Sequence, residues 1–205
     1  MPACDRPLRL LVTGFGPFPG VPRNPSASVV AALVRHRATF ARRGLALRCQ
    51  ILPVLYATAD AFRPEPGVDF IVAIGVAHRR KRVCVETVAR ARRSARHPDA
   101  SGRPPGKTCN GARDALGVDP HWGAPVLAVA LGKAGVPAQT SRNAGAYVCN
   151  ALLYRALDAE LAPALFIHIP PVRACSPQRI AAALAQTLPD AVERFVRAAR
   201  RPIPE

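Results

Sequence analysis

Three side chains in this sequence belong to the types that perform acyl-transfer chemistry and stand in settings that ask for an explanation. Cys149 follows the stretch Asn143-Ala144-Gly145-Ala146-Tyr147, a turn that leads into an amphipathic pattern. That places the thiol in the first turn of a helix, where the dipole and the free N–H groups favour a thiolate. The same N–H groups can hold an oxyanion formed at an attacked carbonyl. His168 lies in Phe166-Ile167-His168-Ile169-Pro170, near the carboxyl end of an otherwise apolar strand, the end at which open α/β sheets bind their ligands. Glu86 sits in Val83-Cys84-Val85-Glu86-Thr87-Val88, an apolar context where an unpaired carboxylate is costly. Each residue also has a plain structural reading: a packed cysteine on the inner face of a helix, a satisfied core histidine, a glutamate paired with a basic neighbour. Taken together they supply a nucleophile, a base and an acid to orient the base.

The elements that would position them follow from periodicity. Residues 8–12 form a largely apolar run closed by Gly14, as in a buried strand. The Pro- and Gly-rich residues 15–20 make a loop, and Asn24-Pro25-Ser26 opens a helix, with Asn24 as cap and Pro25 at the first helical position. That helix is expected to reach residue 37. Strands are predicted at 47–54, 69–74, 83–89, 137–140 and 165–169, and helices at 145–161 and from Ser176-Pro177 to residue 200; residues 125–133 fit either a strand or a helix, with the pattern leaning towards helix. Strands alternating with helices predict a three-layer α/β sandwich, a mostly parallel twisted sheet flanked by helices. The polar segment 90–122 shows little periodicity, and a connection that long is usually functional or disordered. No domain boundary is visible, so residues 1–205 are read as one catalytic domain.

Composition narrows the partners. With 205 residues, 49% of them hydrophobic, such a chain buries roughly 70% of its unfolded surface without staples. The formal charge of +16 raises nucleic acid or another anionic partner. Yet the basic residues comprise 26 Arg and 3 Lys, a bias that GC-rich coding produces on any solvated face. The densest basic stretch, 79–96, has no aromatic residue for base stacking, which argues against nucleic acid. The six cysteines contain no C-x-x-C pair, so zinc-ribbon and thioredoxin-like spacings are absent. Residues 8–12 are too short for a signal peptide core, and no stretch approaches the ~20 apolar residues of a membrane helix. A reducing cytoplasm with free thiols is the expected setting.

Four segments resemble the pyroglutamyl peptidase I (pyrrolidone-carboxylate peptidase) family of cysteine peptidases. They are Val12-Thr13-Gly14-Phe15-Gly16-Pro17-Phe18 followed by Asn24-Pro25-Ser26; Ile74-Gly75-Val76-Ala77 leading to Arg80, Glu86 and Val88-Ala89; Ala144-Gly145-Ala146-Tyr147-Val148-Cys149-Asn150 with Tyr154 behind; and Phe166-Ile167-His168-Ile169-Pro170. Their order and spacing match across residues 8–200. The resemblance implies a triad of Glu86, Cys149 and His168 that removes an N-terminal pyroglutamyl residue from peptides, with no metal and no cofactor. It further implies that Phe15 and Phe18 build part of the ring pocket, with Tyr147 as the second aromatic wall. Asn24 would hold the loop, Val76 would offer a main-chain contact, and Arg96 would stand near the site. A homotetramer is the assembly it implies. The sequence departs from the family pattern at His78 and Arg79, where two glycines are usual, at Pro19, and in the basic run after Glu86. Those departures keep open a retuned or inactive member that acts on another N-blocked amide or binds an anionic partner.

Overall fold

A computed structural model describes residues 6–106 and 113–200. In chain order its elements are β1 (Leu8–Phe15), α1 (Pro25–Leu33), α2 (Arg37–Ala41), β2 (Leu45–Leu52), α3 (Tyr56–Asp60), β3 (Phe70–Val76), β4 (Val83–Glu86), β5 (Val88–Arg90), β6 (Ala115–Gly117), α4 (Ala124–Lys133), β7 (Ala138–Ser141), α5 (Val148–Asp158), β8 (Ala164–Ile169) and α6 (Pro177–Ala199). Six strands form one sheet in the order β2-β1-β3-β8-β4-β7, while β5 and β6 pair separately. All neighbours in the large sheet are parallel except β8 and β4. Helices α1, α4 and α6 pack together, and α3 packs on α5. The chain is an α/β sandwich with a mostly parallel sheet, as its alternating pattern predicts.

The central strands are apolar because both of their faces are covered. Every residue of β8 is buried, His168 included. The buried hydrophobic residues of sheet and helices form a contiguous cluster. Trp122, fully buried, joins it through ring contacts with Phe70 at 5.6 Å and Phe195 at 5.5 Å. The caps anticipated from sequence are formed. Asn24 Oδ1 accepts from Ser26 N at 3.1 Å, and Ser176 Oγ accepts from Arg179 N at 3.3 Å. Helix α6 carries Pro189 inside it without ending there; its buried apolar face holds the helix through the missing hydrogen bond.

Three boundaries differ from the expectations. The first helix stops at Leu33, passes through a 3-10 turn over Val34–His36 and resumes as α2. The strand expected at 83–89 breaks at Thr87, whose N–H and hydroxyl both donate to the Ser141 carbonyl at 2.7 and 3.0 Å. That double attachment turns the chain away from the large sheet, and β5 pairs with β6 instead. The segment 90–122 is therefore not structureless throughout: β6 and a 3-10 turn over Pro120–Trp122 lie within it.

Candidate active site

The sheet register brings the candidate residues together. His168 on β8 is the register partner of Gly75 on β3 and of Cys84 on β4, and Cys84 is in turn the partner of Gln139 on β7. Partners in register project to the same face of a sheet, and so do residues two apart on one strand. Hence Gly75, His168, Phe166, Cys84 and Glu86 share one face. Phe166 and His168 stack with ring centroids 4.8 Å apart. Glu86, two residues along β4 from Cys84, reaches diagonally to His168.

That contact is short and dry. His168 Nδ1 lies 2.8 Å from Glu86 Oε1, with the glutamate side chain wholly buried and the histidine 6% exposed. Arg80 Nη1 stands 2.7 Å from the same oxygen, while Arg80 Nη2 donates to the Asn143 carbonyl at 2.6 Å. Burial pushes the Glu86 carboxyl up, but the His168 hydrogen bond, the Ser141 hydroxyl and the charges of His168 and Arg80 outweigh it and hold the group below the usual glutamate range. Among the described residues Glu86 Oε2 has no hydrogen-bond partner. Burial lowers His168 from the ordinary histidine value; the Glu86 hydrogen bond and charge pull the other way without reversing it. Beside an ionised Glu86, the imidazole is neutral with its proton on Nδ1, leaving Nε2 as the acceptor.

Cys149 approaches this face from α5. Its Sγ lies 2.8 Å from where a Cβ on Gly75, the register partner of His168, would stand, so only glycine leaves the sulfur its place above the sheet. Tyr147 caps α5 with extended backbone, which makes Cys149 the second residue of the helix. Its own N–H favours the thiolate, yet burial dominates and pushes the thiol up to about 12. Burial thus works against the thiolate that the helix dipole favours.

The approach to α5 is fixed by asparagines. Asn143 Oδ1 accepts from Gly145 N and from Arg92 Nη2, both at 3.1 Å, and Gly145 takes the positive φ of 83° that the turn requires. Asn150, buried next to the thiol, exchanges two hydrogen bonds with Arg90, giving Nδ2 to its carbonyl at 2.7 Å and receiving its N–H at 2.9 Å. A third, to the Arg92 carbonyl at 3.1 Å, ties the following chain to the helix start.

The other sequence-derived residues are placed as follows. Phe15, buried at the end of β1, has its ring 6.5 Å from that of Phe166. Asn24 Nδ2 donates to the Gly16 carbonyl at 2.8 Å, and Ser26 Oγ, bonded to Asn24, accepts from Phe15 N at 2.9 Å. The loop is therefore tied to the start of α1. Half-buried Phe18 packs against His78, ring centroids 5.9 Å apart. Val76 ends β3 beside Ile169. Tyr147 meets Tyr56 edge-on at 5.7 Å and donates its hydroxyl to the Pro98 carbonyl at 3.1 Å. Arg96 is exposed in a turn, and its side chain makes no hydrogen bond or ion pair among the described residues. His78 and Arg79 sit in the turn closed by Arg80 N to the Ala77 carbonyl at 3.0 Å. Neither has positive φ, so this turn does not need the glycines that the family usually places there.

Arg80, Asn143, Asn150 and Tyr56 contact the candidate site residues or the turn leading to Cys149, and their sequence setting did not assign them to the site. Arg80 is hidden within a run of four basic residues. Asn143-Ala144-Gly145 carries the one local signal that could have flagged its turn, an Asx side chain two residues before a glycine.

A sequence model of the pyroglutamyl peptidase family matches residues 8–203. The chain belongs to the pyroglutamyl peptidase family. It is 35% identical to the pyrrolidone-carboxylate peptidase of Erwinia tasmaniensis over 176 residues, covering 79% of this chain and 78% of that one. The enzyme of the same name from Chromobacterium violaceum is 35% identical over 168 residues, covering 78% and 77%. Among solved structures, pyroglutamyl peptidase I from Bacillus amyloliquefaciens superposes with a TM-score of 0.75 at 28% identity, covering 91% of this chain and 96% of that one. The chain is thus a member of an enzyme family whose members are peptidases. No helix among the described residues is long and apolar enough to cross a membrane.

One prediction arises directly from the packing. In Gly75→Ala the new Cβ would meet Cys149 Sγ at 2.8 Å and Phe166 Cζ at 2.9 Å, so the sulfur must move by an appreciable fraction of an ångström. Misplacement of about that size costs roughly 10- to 100-fold in rate, and overpacking adds about 1–3 kcal/mol of destabilisation. Turnover and thermal melting of the purified variant check both.

Proposed function

We propose that this protein removes the N-terminal pyroglutamyl residue from peptides through a triad of Cys149, His168 and Glu86, the whole chain acting as one catalytic domain. The observation that carries the reading is the seat of Cys149 Sγ over Gly75, register partner of the His168 that Glu86 holds by Nδ1. The thiol gives its proton to His168 Nε2 as the sulfur attacks the carbonyl joining the pyroglutamyl ring to the next residue. The imidazolium so formed is stabilised by Glu86. N–H groups at the start of α5, which have no carbonyl partner within the helix, face the developing oxyanion. His168 then protonates the leaving amine, and the C–N bond breaks to leave a thioester on Cys149. Water, deprotonated by His168, attacks the thioester, releasing pyroglutamate and restoring the thiol. Phe15, Phe18 and Tyr147 supply apolar walls suited to a flat, uncharged lactam, with Val76 offering its main chain, Asn24 holding the loop and Arg96 near the entrance. The family relationship supports a cytoplasmic enzyme and a homotetramer.

The test is hydrolysis of a fluorogenic pyroglutamyl amide by the reduced, folded protein; silence would overturn the reading. The pH profile is a second check. The base works when neutral, and burial lowers His168. Activity should therefore persist as pH falls through 6.5 and be lost only below it; an acid limb above 6.5 would contradict the assigned protonation states. A second reading, another N-blocked amide as substrate, draws on the His78 ring against Phe18, and a panel of N-acyl amides in the same assay decides between them.

A further inference from the structure

The row of register partners that passes through His168 does not stop at the triad. It continues from Gly75 and His168 to Cys84 and then to Gln139 on β7, the outermost strand of the sheet. Strands lie about 4.8 Å apart, which puts Cys84 about 5 Å and Gln139 about 10 Å from His168 along that row. Cys84 and Gln139 line a groove of about 450 Å³, walled by residues 79–82 on one side and 139–141 on the other. Arg80 lines this groove too and is bound to Glu86 and to the Asn143 carbonyl, so the groove adjoins the candidate triad.

The groove has an unbalanced charge. No carboxylate lines it. Arg79, Lys81 and Arg82 are exposed, and their side chains have no hydrogen bond or ion pair among the described residues; Arg142, the next residue after the groove wall, is in the same state. Solvated cations held side by side repel one another, and an anion bound between them relieves that repulsion. We propose that this groove receives acidic side chains of the peptide substrate downstream of the scissile bond, making the enzyme selective for N-blocked peptides with carboxylates about three or four residues beyond the ring. The spacing follows from the rise of an extended peptide, about 3.3 Å per residue, over the roughly 10 Å from His168 to Gln139. The exposed Gln139 and Thr140 on an edge strand offer polar partners for such an extended chain. A nucleic acid is the poorer occupant, because no aromatic ring lines the groove to stack a base.

This selectivity rests on the pyroglutamyl peptidase reading, and the experiment separates the two. Cleavage of pyroglutamyl-Ala-Ala-Asp-Asp-Ala is compared with that of its Asn-Asn counterpart, in the wild type and in Lys81→Ala/Arg82→Ala, with the small fluorogenic amide as control. The acidic peptide should be favoured by about three- to tenfold in kcat/KM, mainly through KM. The preference should vanish in high salt and in the double variant, whose turnover of the small amide is unchanged. Equal rates for the two peptides, or a preference that survives the double substitution, would overturn the inference. So would competition by a short single-stranded oligonucleotide without any peptide preference. Should the small amide itself not be cleaved, the catalytic reading fails while the groove stays testable. Fluorescence anisotropy of the labelled acidic peptide on Cys149→Ala then decides, salt-sensitive binding lost with Lys81 and Arg82 supporting the groove and absence of binding refuting it.

Discussion

Cys149→Ala is expected to abolish pyroglutamyl amide hydrolysis, by at least about 10⁴-fold in kcat, while leaving the fold intact. The size of the effect follows from the absence of any substitute. Among the described residues Cys84 is the other thiol on the same face, but it lies on the far side of His168, buried, with its Sγ directed at the Arg82 carbonyl 3.7 Å away. Alanine at 149 keeps the helix start and adds no clash, since the sulfur occupies space that Gly75 leaves open. Circular dichroism and melting should therefore match the wild type. Cys149→Ser should be nearly as inactive: an alkoxide is far harder to form than a thiolate, and a base whose own basicity is lowered by burial cannot compensate. Substantial turnover by Cys149→Ala would place the nucleophile elsewhere.

The second large effect is expected from Glu86→Gln, a loss of roughly 10²- to 10⁴-fold in kcat with little change in KM. Glu86 Oε1 serves two partners at once, His168 at 2.8 Å and Arg80 at 2.7 Å. Removing the carboxylate charge takes away the influences that raise the His168 pKa and leaves burial and Arg80, which lower it. The base becomes weaker, the imidazolium formed during attack loses its counter-ion, and the acid limb of the pH profile moves lower. A glutamine can also turn its amide NH2 towards Nδ1 and select the wrong tautomer. Stability changes in a defined window. The Glu86 carboxyl is held below its ordinary value, so it contributes stability above the unfolded-state pKa that is lost as pH falls through the folded one. The variant should lose that acid-labile contribution, and Arg80 is left facing His168 without its anion. Full activity in Glu86→Gln would remove the residue from the mechanism.

The sequence made some of this site readable and hid the rest for physical reasons. His168 could be placed because a polar residue in an apolar strand before Pro170-Pro171 breaks an otherwise uniform pattern. Cys149 stood out through the turn before its helix. Their juxtaposition could not be read, because it depends on β8 inserting between β3 and β4, and nothing in a strand's own residues specifies its non-local neighbours. The antiparallel setting of β4, which brings Glu86 diagonally to His168, is invisible for the same reason. The break at Thr87 escaped because 83–89 is continuously β-prone, and only the two bonds to the Ser141 carbonyl split it. The helix dipole that favours a Cys149 thiolate can be read from sequence, whereas the burial that opposes it is a property of the packed site.

The position of β8 also sets the order in which the enzyme can come alive. It comes last in chain order among the described strands, yet it lies between β3 and β4 and joins what would otherwise be two separate strand groups, β2-β1-β3 and β4-β7. The earlier strands can associate as they emerge, but the long-range pairing that unites them waits for residues 164–169. His168 travels on that closing strand, and its partner in the site, Glu86, is 82 residues upstream. On the proposed mechanism, peptidase competence is gated by completion of the sheet: a partly folded chain has Cys149 and Glu86 but no His168 between them, and the triad is not assembled until β8 is in place.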